Sequence, residues 1–333
     1  MTNDSVSPKE APLLRVHDLH VHFRVAGNRL VQAVDGVDLE ITKGRTLGLV
    51  GESGSGKTTL ATSVMRLAPI TSGEVWLGQT ELSALEGEAL RLARRRFQIV
   101  FQDPFSSLNP RQRVGDAVRE PLDLMGVGTI EERASRVDAL FEQVGLRPEQ
   151  QQLFPHQFSG GQRQRINIAR ALATQPELIL CDEPVSALDV AIRAQILNLL
   201  SQLQIDLGLT YLFISHDMAV VEHICDDIAV MYLGQIVERA NRHDFFSRPL
   251  HPYSAALLSA VPTVKGGRAR ADDRIRLTGD PPSPINPPTG CRFASRCPQV
   301  QPMCIENAQT LREVSPGRWV RCQRIPNEPI SGT

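Results

Sequence analysis

Alternation of apolar and polar positions dominates the start of the chain. From Leu13 to Phe23 the apolar side chains fall on Leu14, Val16, Leu19, Val21 and Phe23, the period of a half-buried strand. Gly27-Asn28 marks a turn, Val31 to Ile41 alternates again, and Lys43-Gly44 turns the chain into Thr46-Leu47-Gly48-Leu49-Val50. With a further short strand at Gly73 to Gly78, this portion is predicted as mostly antiparallel β structure. Phe97 to Phe101 is predicted as a buried strand, and Val114 to Val144 as helical, broken at Pro121, Gly126 and Gly145. Arg163 to Ala173 has the spacing of an amphipathic helix. Glu177 to Asp182 and Thr210 to Ile214 are short apolar runs, separated by a helix through about Leu207. Strands alternating with helices predict a mostly parallel sheet covered on both faces. Ile228 to Val237 is predicted as a hairpin turning at Gly234-Gln235, and His251-Pro252-Tyr253 as the start of a short helix to about Val261.

The remaining segments lack such periodicity. Residues 1–12 are polar with two prolines and are predicted as a loose tail. Gly266-Gly267 and the prolines 281, 282, 284, 287 and 288 predict linker and extended chain. The 333 residues suffice for one large or two ordinary domains, and 41% hydrophobic with 22% charged residues is ordinary for a soluble protein. A formal net charge of −1 argues against bulk electrostatic capture of nucleic acid. The basic run Arg91 to Arg96 is expected to be a solvated helix face rather than a phosphate or RNA patch. No apolar run approaches the ~20 residues that span a bilayer, and Met1-Thr2-Asn3-Asp4-Ser5 lacks the layout of a secretion signal. The expected location is therefore the cytosol, with any membrane role supplied by partner subunits.

The chemistry begins at Gly51-Glu52-Ser53-Gly54-Ser55-Gly56-Lys57-Thr58, which sits between a strand and the helical run Thr59 to Met65. Glycines let Gly51, Ser53, Gly54, Ser55 and Gly56 curl their N–H groups onto one oxyanion, and the helix start adds positive potential. In this pattern Lys57 reaches the β- and γ-phosphates, while Thr58, with Thr59 behind it, faces a Mg²⁺ ion. Asp182 and Glu183 close a buried strand. Asp182 is suited to hold Mg²⁺ through its water shell, and Glu183 to orient or deprotonate a water beside the γ-phosphate. Together these predict an ATPase.

Ser159-Gly160-Gly161-Gln162, lying between the phosphate loop and Asp182-Glu183, resembles the signature of ATP-binding-cassette (ABC) ATPases. Gln102 matches that family's Q-loop, Ser186-Ala187-Leu188-Asp189 its D-loop and His216 its switch histidine; the resemblance runs from about Leu13 to Val261. It implies an α/β P-loop fold of ABC type: a RecA-like core, an antiparallel β subdomain and a helical subdomain at about 103–175, together covering 13–265. A cysteine-bearing extension would follow over 266–333. It also implies that two cassettes pair head to tail, so that Ser159, Gly160, Gly161 and Gln162 cover the ATP held by the partner. Gln102 would sense Mg²⁺, His216 would hydrogen-bond the γ-phosphate, and Asp189 would communicate across the interface. The adenine-stacking aromatic falls to Phe23, the only aromatic before the phosphate loop, with a core-strand role equally open. Phe158 stands where many cassettes have leucine.

Phe101-Gln102-Asp103-Pro104, Ser107-Leu108-Asn109-Pro110-Arg111, Pro155-His156-Gln157-Phe158 and His251-Pro252-Tyr253-Ser254 are similar to the oligopeptide/dipeptide importer branch, in particular its "F"-type subunit. That resemblance implies a non-identical ATPase partner, two transmembrane permeases and an extracytoplasmic solute-binding protein, at the cytoplasmic face of the membrane. Nickel or glutathione are alternative solutes within the branch. A non-transport cassette acting on DNA or the ribosome is disfavoured by the single phosphate loop, the single signature and the near-neutral charge.

Cys291, Cys297, Cys304 and Cys322 give C-x₅-C-x₆-C-x₁₇-C, four thiols in a proline-rich segment with little core. Two disulfides do not suit a reducing cytosol, and the spacing lacks the paired C-x₂-C turns of a zinc ribbon. Similar tails in peptide-importer ATPases imply a [4Fe–4S] cluster, with zinc as the alternative. Cys181 and Cys225 lie in apolar contexts and are expected to be inert core residues.

Overall fold

In the computed structural model, which describes residues 11–260 and 275–327, the N-terminal alternation becomes two long strands. They are β1 (Pro12–Val25) and β2 (Arg29–Thr42), joined at Gly27 and Asn28, whose φ angles are 79° and 56°. Next come β3 (Thr46–Val50), α1 (Lys57–Val64), β4 (Ser72–Leu77), β5 (Thr80–Glu81), α2 (Gly87–Ala93) and β6 (Phe97–Val100). Helices α3 (Val114–Met125), α4 (Ile130–Gln143) and α5 (Gly160–Leu172) precede β7 (Leu178–Asp182), α6 (Val190–Leu207), β8 (Thr210–Ile214) and α7 (Met218–Ile224). The chain continues through β9 (Asp227–Tyr232), β10 (Gln235–Asn241), α8 (Arg242–Ser247), α9 (Pro252–Ser259), α10 (Pro302–Glu306), β11 (Arg312–Ser315) and β12 (Arg318–Val320). The Gly266-Gly267 linker, the start of the polar tail and the 265/266 boundary lie outside the described residues.

Two sheets result. One is four-stranded and antiparallel, ordered β2-β1-β4-β5; the other is eight-stranded, ordered β11-β12-β10-β9-β3-β8-β7-β6. Its centre is parallel, with β3 between β9 and β8 and β7 between β8 and β6. The unbroken apolar runs follow from this position. Leu178, Leu180, Leu212 and Ile214 enter one core cluster while Ile179, Cys181, Tyr211 and Phe213 enter the other, so both faces of β7 and β8 are buried.

Several expectations need correction. Pro121 sits inside α3 rather than ending it, and the helix runs on to a left-handed cap at Gly126. The loss is one backbone hydrogen bond, in a helix that buries Val114, Ala117, Val118 and Leu122. Phe101 lies beyond β6 and is exposed. The hairpin turns at Leu233 and Gly234, both at positive φ, with Gln235 already in β10. The basic run forms the end of α2 and one 3₁₀ turn, in which Arg91 pairs with Glu88, Arg94 donates to the Arg66 carbonyl and Arg96 pairs with Glu177. Cys181 and Cys225, by contrast, are fully buried as expected of core residues, and burial pushes both thiols far up.

The C-terminal segment adds a hairpin that continues the main sheet: β12 pairs with β10 through Glu238 with Val320 and Arg239 with Trp319. Beneath this pairing Glu238 is fully buried and accepts the backbone N–H groups of Leu250 and His251. His251 caps α9 by accepting the Tyr253 N–H at 3.1 Å. Burial, helped by Arg321, pulls the His251 pKa down to about 3. The folded state thus holds this ring neutral while the unfolded chain protonates it below about pH 6.5, so acid favours unfolding. Lowering pH from 7 to 5 is expected to cost about 2 kcal/mol through this group. Buried Glu238, whose pKa is raised, acts in the opposite sense, and the comparison with H251N isolates the histidine. H251N retains a capping acceptor. Urea titrations at both pH values should find H251N losing less stability than the parent; equal losses would refute the assignment.

Candidate active site

Two glycines of the phosphate loop have no substitute. A Cβ on Gly51, at φ 155°, would lie 2.2 Å from the Met231 carbonyl oxygen, and one on Gly56, at φ 104°, 2.2 Å from that of Ala33. The loop is therefore pressed against β9 and β2, and Gly234 donates its N–H to the Ser55 carbonyl at 2.8 Å. Lys57 opens α1, and its Nζ donates to the carbonyls of Gly51 and Glu52, each at 2.8 Å, and to Ser55 Oγ at 3.4 Å. Burial pulls its pKa down, against the opposing charges of Glu183 and Asp182.

Asp182 ends β7 facing this loop, and Thr58 Oγ1 lies 3.5 Å from its Oδ1. Burial raises the Asp182 carboxyl, the Thr58 hydrogen bond opposes that rise and neighbouring Glu183 adds to it. Thr58, Asp182 and the nearby Gln102 form an oxygen-rich set that suits Mg²⁺. Glu183 adopts φ 46°, in the left-handed region that non-glycine residues avoid. Its N–H donates to the Ile214 carbonyl at 3.0 Å, and its own carbonyl accepts from Ser186 N–H and Oγ, which holds the turn. The carboxylate lies between two donors: Gln102 Nε2 to Oε2 at 2.9 Å and His216 Nδ1–H to Oε1 at 2.9 Å. This constellation opens on a cavity of about 630 Å³, also lined by Ser53, Gly54 and Thr59.

Other expected site residues lie elsewhere. Ser159 caps α5, exchanging hydrogen bonds with Gln162 at 3.3 and 3.0 Å, and Gly160 and Gly161 begin that helix. Gly161 packs so closely on α6 that a Cβ would fall 2.4 Å from Ile192 Cγ2. Asp189 caps α6 by accepting the Ile192 N–H at 2.9 Å. None of these five lines the cavity. Nor does Phe23, which packs half-buried against the core. The wall away from the phosphate loop is instead Val31, Gln32, Ala33, Leu233, Gly234 and Pro284. These come from three distant segments and carry no local motif.

The C-terminal cysteines gather near one another. Cys304 and Cys322 are buried, and the Cys291 N–H donates to the Cys304 carbonyl at 2.7 Å. Burial pushes Cys291 up to about 11, with the charges of Cys322, Cys297 and Cys304 adding to the rise. Among the described residues, the group of three ligand-type side chains with donor atoms within 4.8 Å of one another is His20, His22 and Asp35, not these sulfurs. His20 and His22 both hydrogen-bond Asp35, which also pairs with Arg292.

Comparison with known proteins agrees with this architecture. The family model described as "ABC transporter" matches residues 34–186, and that of "oligopeptide/dipeptide transporter, C-terminal region" matches 237–304. A putative peptide import ATP-binding protein of Brucella ovis is 50% identical over 315 residues, covering 95% of this chain and 98% of that protein. The oligopeptide transport ATP-binding protein AppF of Bacillus subtilis is 49% identical, covering 93% and 96%. The dipeptide transport ATP-binding protein DppF of Haemophilus influenzae is 44% identical, covering 98% and 100%. Among solved structures, the ATP-binding cassette MJ0796, dimeric in a post-hydrolysis state with ADP and Pi, aligns with TM-score 0.63 at 30% identity, covering 69% of this chain and 98% of that one. The chain belongs to the ABC transporter family, as an ATPase subunit of the branch that carries the oligopeptide/dipeptide transporter C-terminal region.

Proposed function

We propose that this protein is the ATP-hydrolysing subunit of an importer for di- or oligopeptides or a related solute. Two cassettes close on ATP and drive partner permeases fed by a solute-binding protein. The observation that carries the reading is the split of the site. Lys57, Thr58, Gln102, Glu183 and His216 line one cavity, with Asp182 against Thr58 behind them, while Ser159, Gly160, Gly161, Gln162 and Asp189 do not line it. A second cassette completes such a site with its own Ser159-type helix start, where N–H groups suit an anion. The names of AppF and DppF favour an "F"-type peptide-transport ATPase subunit; in this reading it works with a non-identical ATPase partner at the cytoplasmic face of the membrane. No helix among the described residues is long and apolar enough to cross a membrane.

In the reaction a water attacks the γ-phosphorus, the bond to the β,γ-bridging oxygen breaks, and ADP and phosphate form. Lys57 and the loop N–H groups hold the phosphates; Thr58, Asp182 and Gln102 would hold Mg²⁺, which would supply neutralisation of the phosphate charge. Glu183 accepts the water's proton, and His216 holds Glu183 and the γ-phosphate. Co-purifying the native complex and identifying its subunits and bound solute tests the assignment: a peptide with two permeases supports it, nickel or glutathione redirects it within the branch, and ribosomes or DNA overturn it.

The residues 13–265 constitute the cassette in this reading, and the segment from 266 an extension held by a [4Fe–4S] cluster on Cys291, Cys297, Cys304 and Cys322. The four sulfurs stand near enough for the charges of Cys322, Cys297 and Cys304 to act on Cys291, which supports a group shared among them. The cluster's contribution is structural, ordering a segment with little core. Protein purified without oxygen is expected to be brown, with about four irons per chain. Colourless protein with one zinc would overturn this.

A further inference from the structure

The C-terminal segment reaches the nucleotide cavity from within the same chain. Pro284 lines the cavity and accepts the Gln32 N–H at 2.9 Å. Arg292 donates to the Leu233 carbonyl at 2.6 Å and to Gln32 Oε1 at 2.9 Å, so two cavity walls are tied to the residue that follows Cys291. Arg296 goes to the phosphate loop itself. Its Nη1 donates to Glu52 Oε2 at 2.8 Å and its Nη2 to Glu52 Oε1 at 3.2 Å, a fork-to-fork pair. The arginine side chain is only 8% exposed and the glutamate 30%. A ring cluster of Tyr232, Tyr253 and Phe293, with centroids 4.7 to 5.4 Å apart, packs beside this pair. Glu52 is further gripped through its backbone: its N–H donates to Tyr253 Oη and its carbonyl accepts from Lys57 Nζ, both at 2.8 Å.

We propose that Arg296 is a positioning residue for nucleotide binding, holding the phosphate loop through Glu52. Two physical effects point the same way. A glycine-rich loop is costly to order, and fixing it before the ligand arrives removes that cost from binding. Glu52 also places a negative charge in a loop built for anions, and Arg296 neutralises it; an unpaired Glu52 opposes the phosphates. The proposal rests on the assignment of this cavity to ATP.

The test is titration of the full chain with a fluorescent ATP analogue. R296M is expected to raise Kd about tenfold, with a smaller change in the saturated hydrolysis rate. Adding E52Q to R296M removes the unpaired charge and is expected to recover at least half of that loss on a logarithmic scale. A merely structural role predicts that the two changes add their damage. A Kd for R296M within twofold of the parent, or additive losses, would overturn the proposal. If R296M does not fold, R296K keeps stem and charge without the fork: a rise of about threefold supports the proposal, and parent-like affinity overturns it. K57A serves as the control, because normal binding there would mean that the cavity assignment has failed rather than the positioning role.

Discussion

Glu183→Gln is expected to lower steady-state ATP hydrolysis at least about a hundredfold while leaving ATP bound. The carboxylate receives Gln102 on one oxygen and His216 on the other, at 2.9 Å each, and a carboxylate retains lone pairs for a water besides. An amide of the same shape keeps the contact volume and loses the ability to take a proton. Blocked turnover with intact affinity should accumulate the closed, ATP-bound dimer. Phosphate release and analytical ultracentrifugation with ATP read both consequences. A rate within tenfold of the parent would mean that another group serves as base.

Lys57→Ala should fail earlier, at binding. Among the described residues lining the cavity the ammonium is the one fixed side-chain cation, and it is held ready by two loop carbonyls at 2.8 Å. Its loss is expected to raise Kd for ATP about a hundredfold, because it removes a charged hydrogen bond in a partly desolvated site. Ligand binding stabilises the fold by mass action, so the ATP-dependent rise in melting temperature should vanish while the melt without nucleotide changes little. Unchanged affinity would refute the cradle assignment.

How much of this was legible in the sequence depended on how local each feature is. The phosphate loop, Asp182-Glu183 and the Ser159-type helix start are short runs whose geometry is set by their own residues and neighbours. They could be located without knowing the fold. The central strands were equally legible, because burial on both faces leaves an unbroken apolar run. Phe23 was placed at the cavity by resemblance, but its period-two position in β1 turns it toward the core, and Val31, Ala33 and Pro284 wall the cavity instead. Nothing near Pro284 in the chain signals that its carbonyl meets Gln32. The hairpin β11–β12 was missed because Arg312–Ser315 and Arg318–Val320 are too short and too charged to produce an alternation. Pro121 reads as a break in the sequence, yet α3 continues through it because a proline inside a helix costs less than the burial of that helix's apolar face repays.

The pairing of β10 with β12 also bears on how the protein is made. Synthesis delivers β10 long before β12, so a growing chain can assemble the parallel core while β10 still lacks its outer neighbour. Until the last strands emerge, that border presents unpaired backbone groups beside a carboxylate destined for the interior, an invitation to pair with another nascent chain. The β11–β12 hairpin therefore acts as a seal, closing this border of β10 against neighbouring chains on the ribosome.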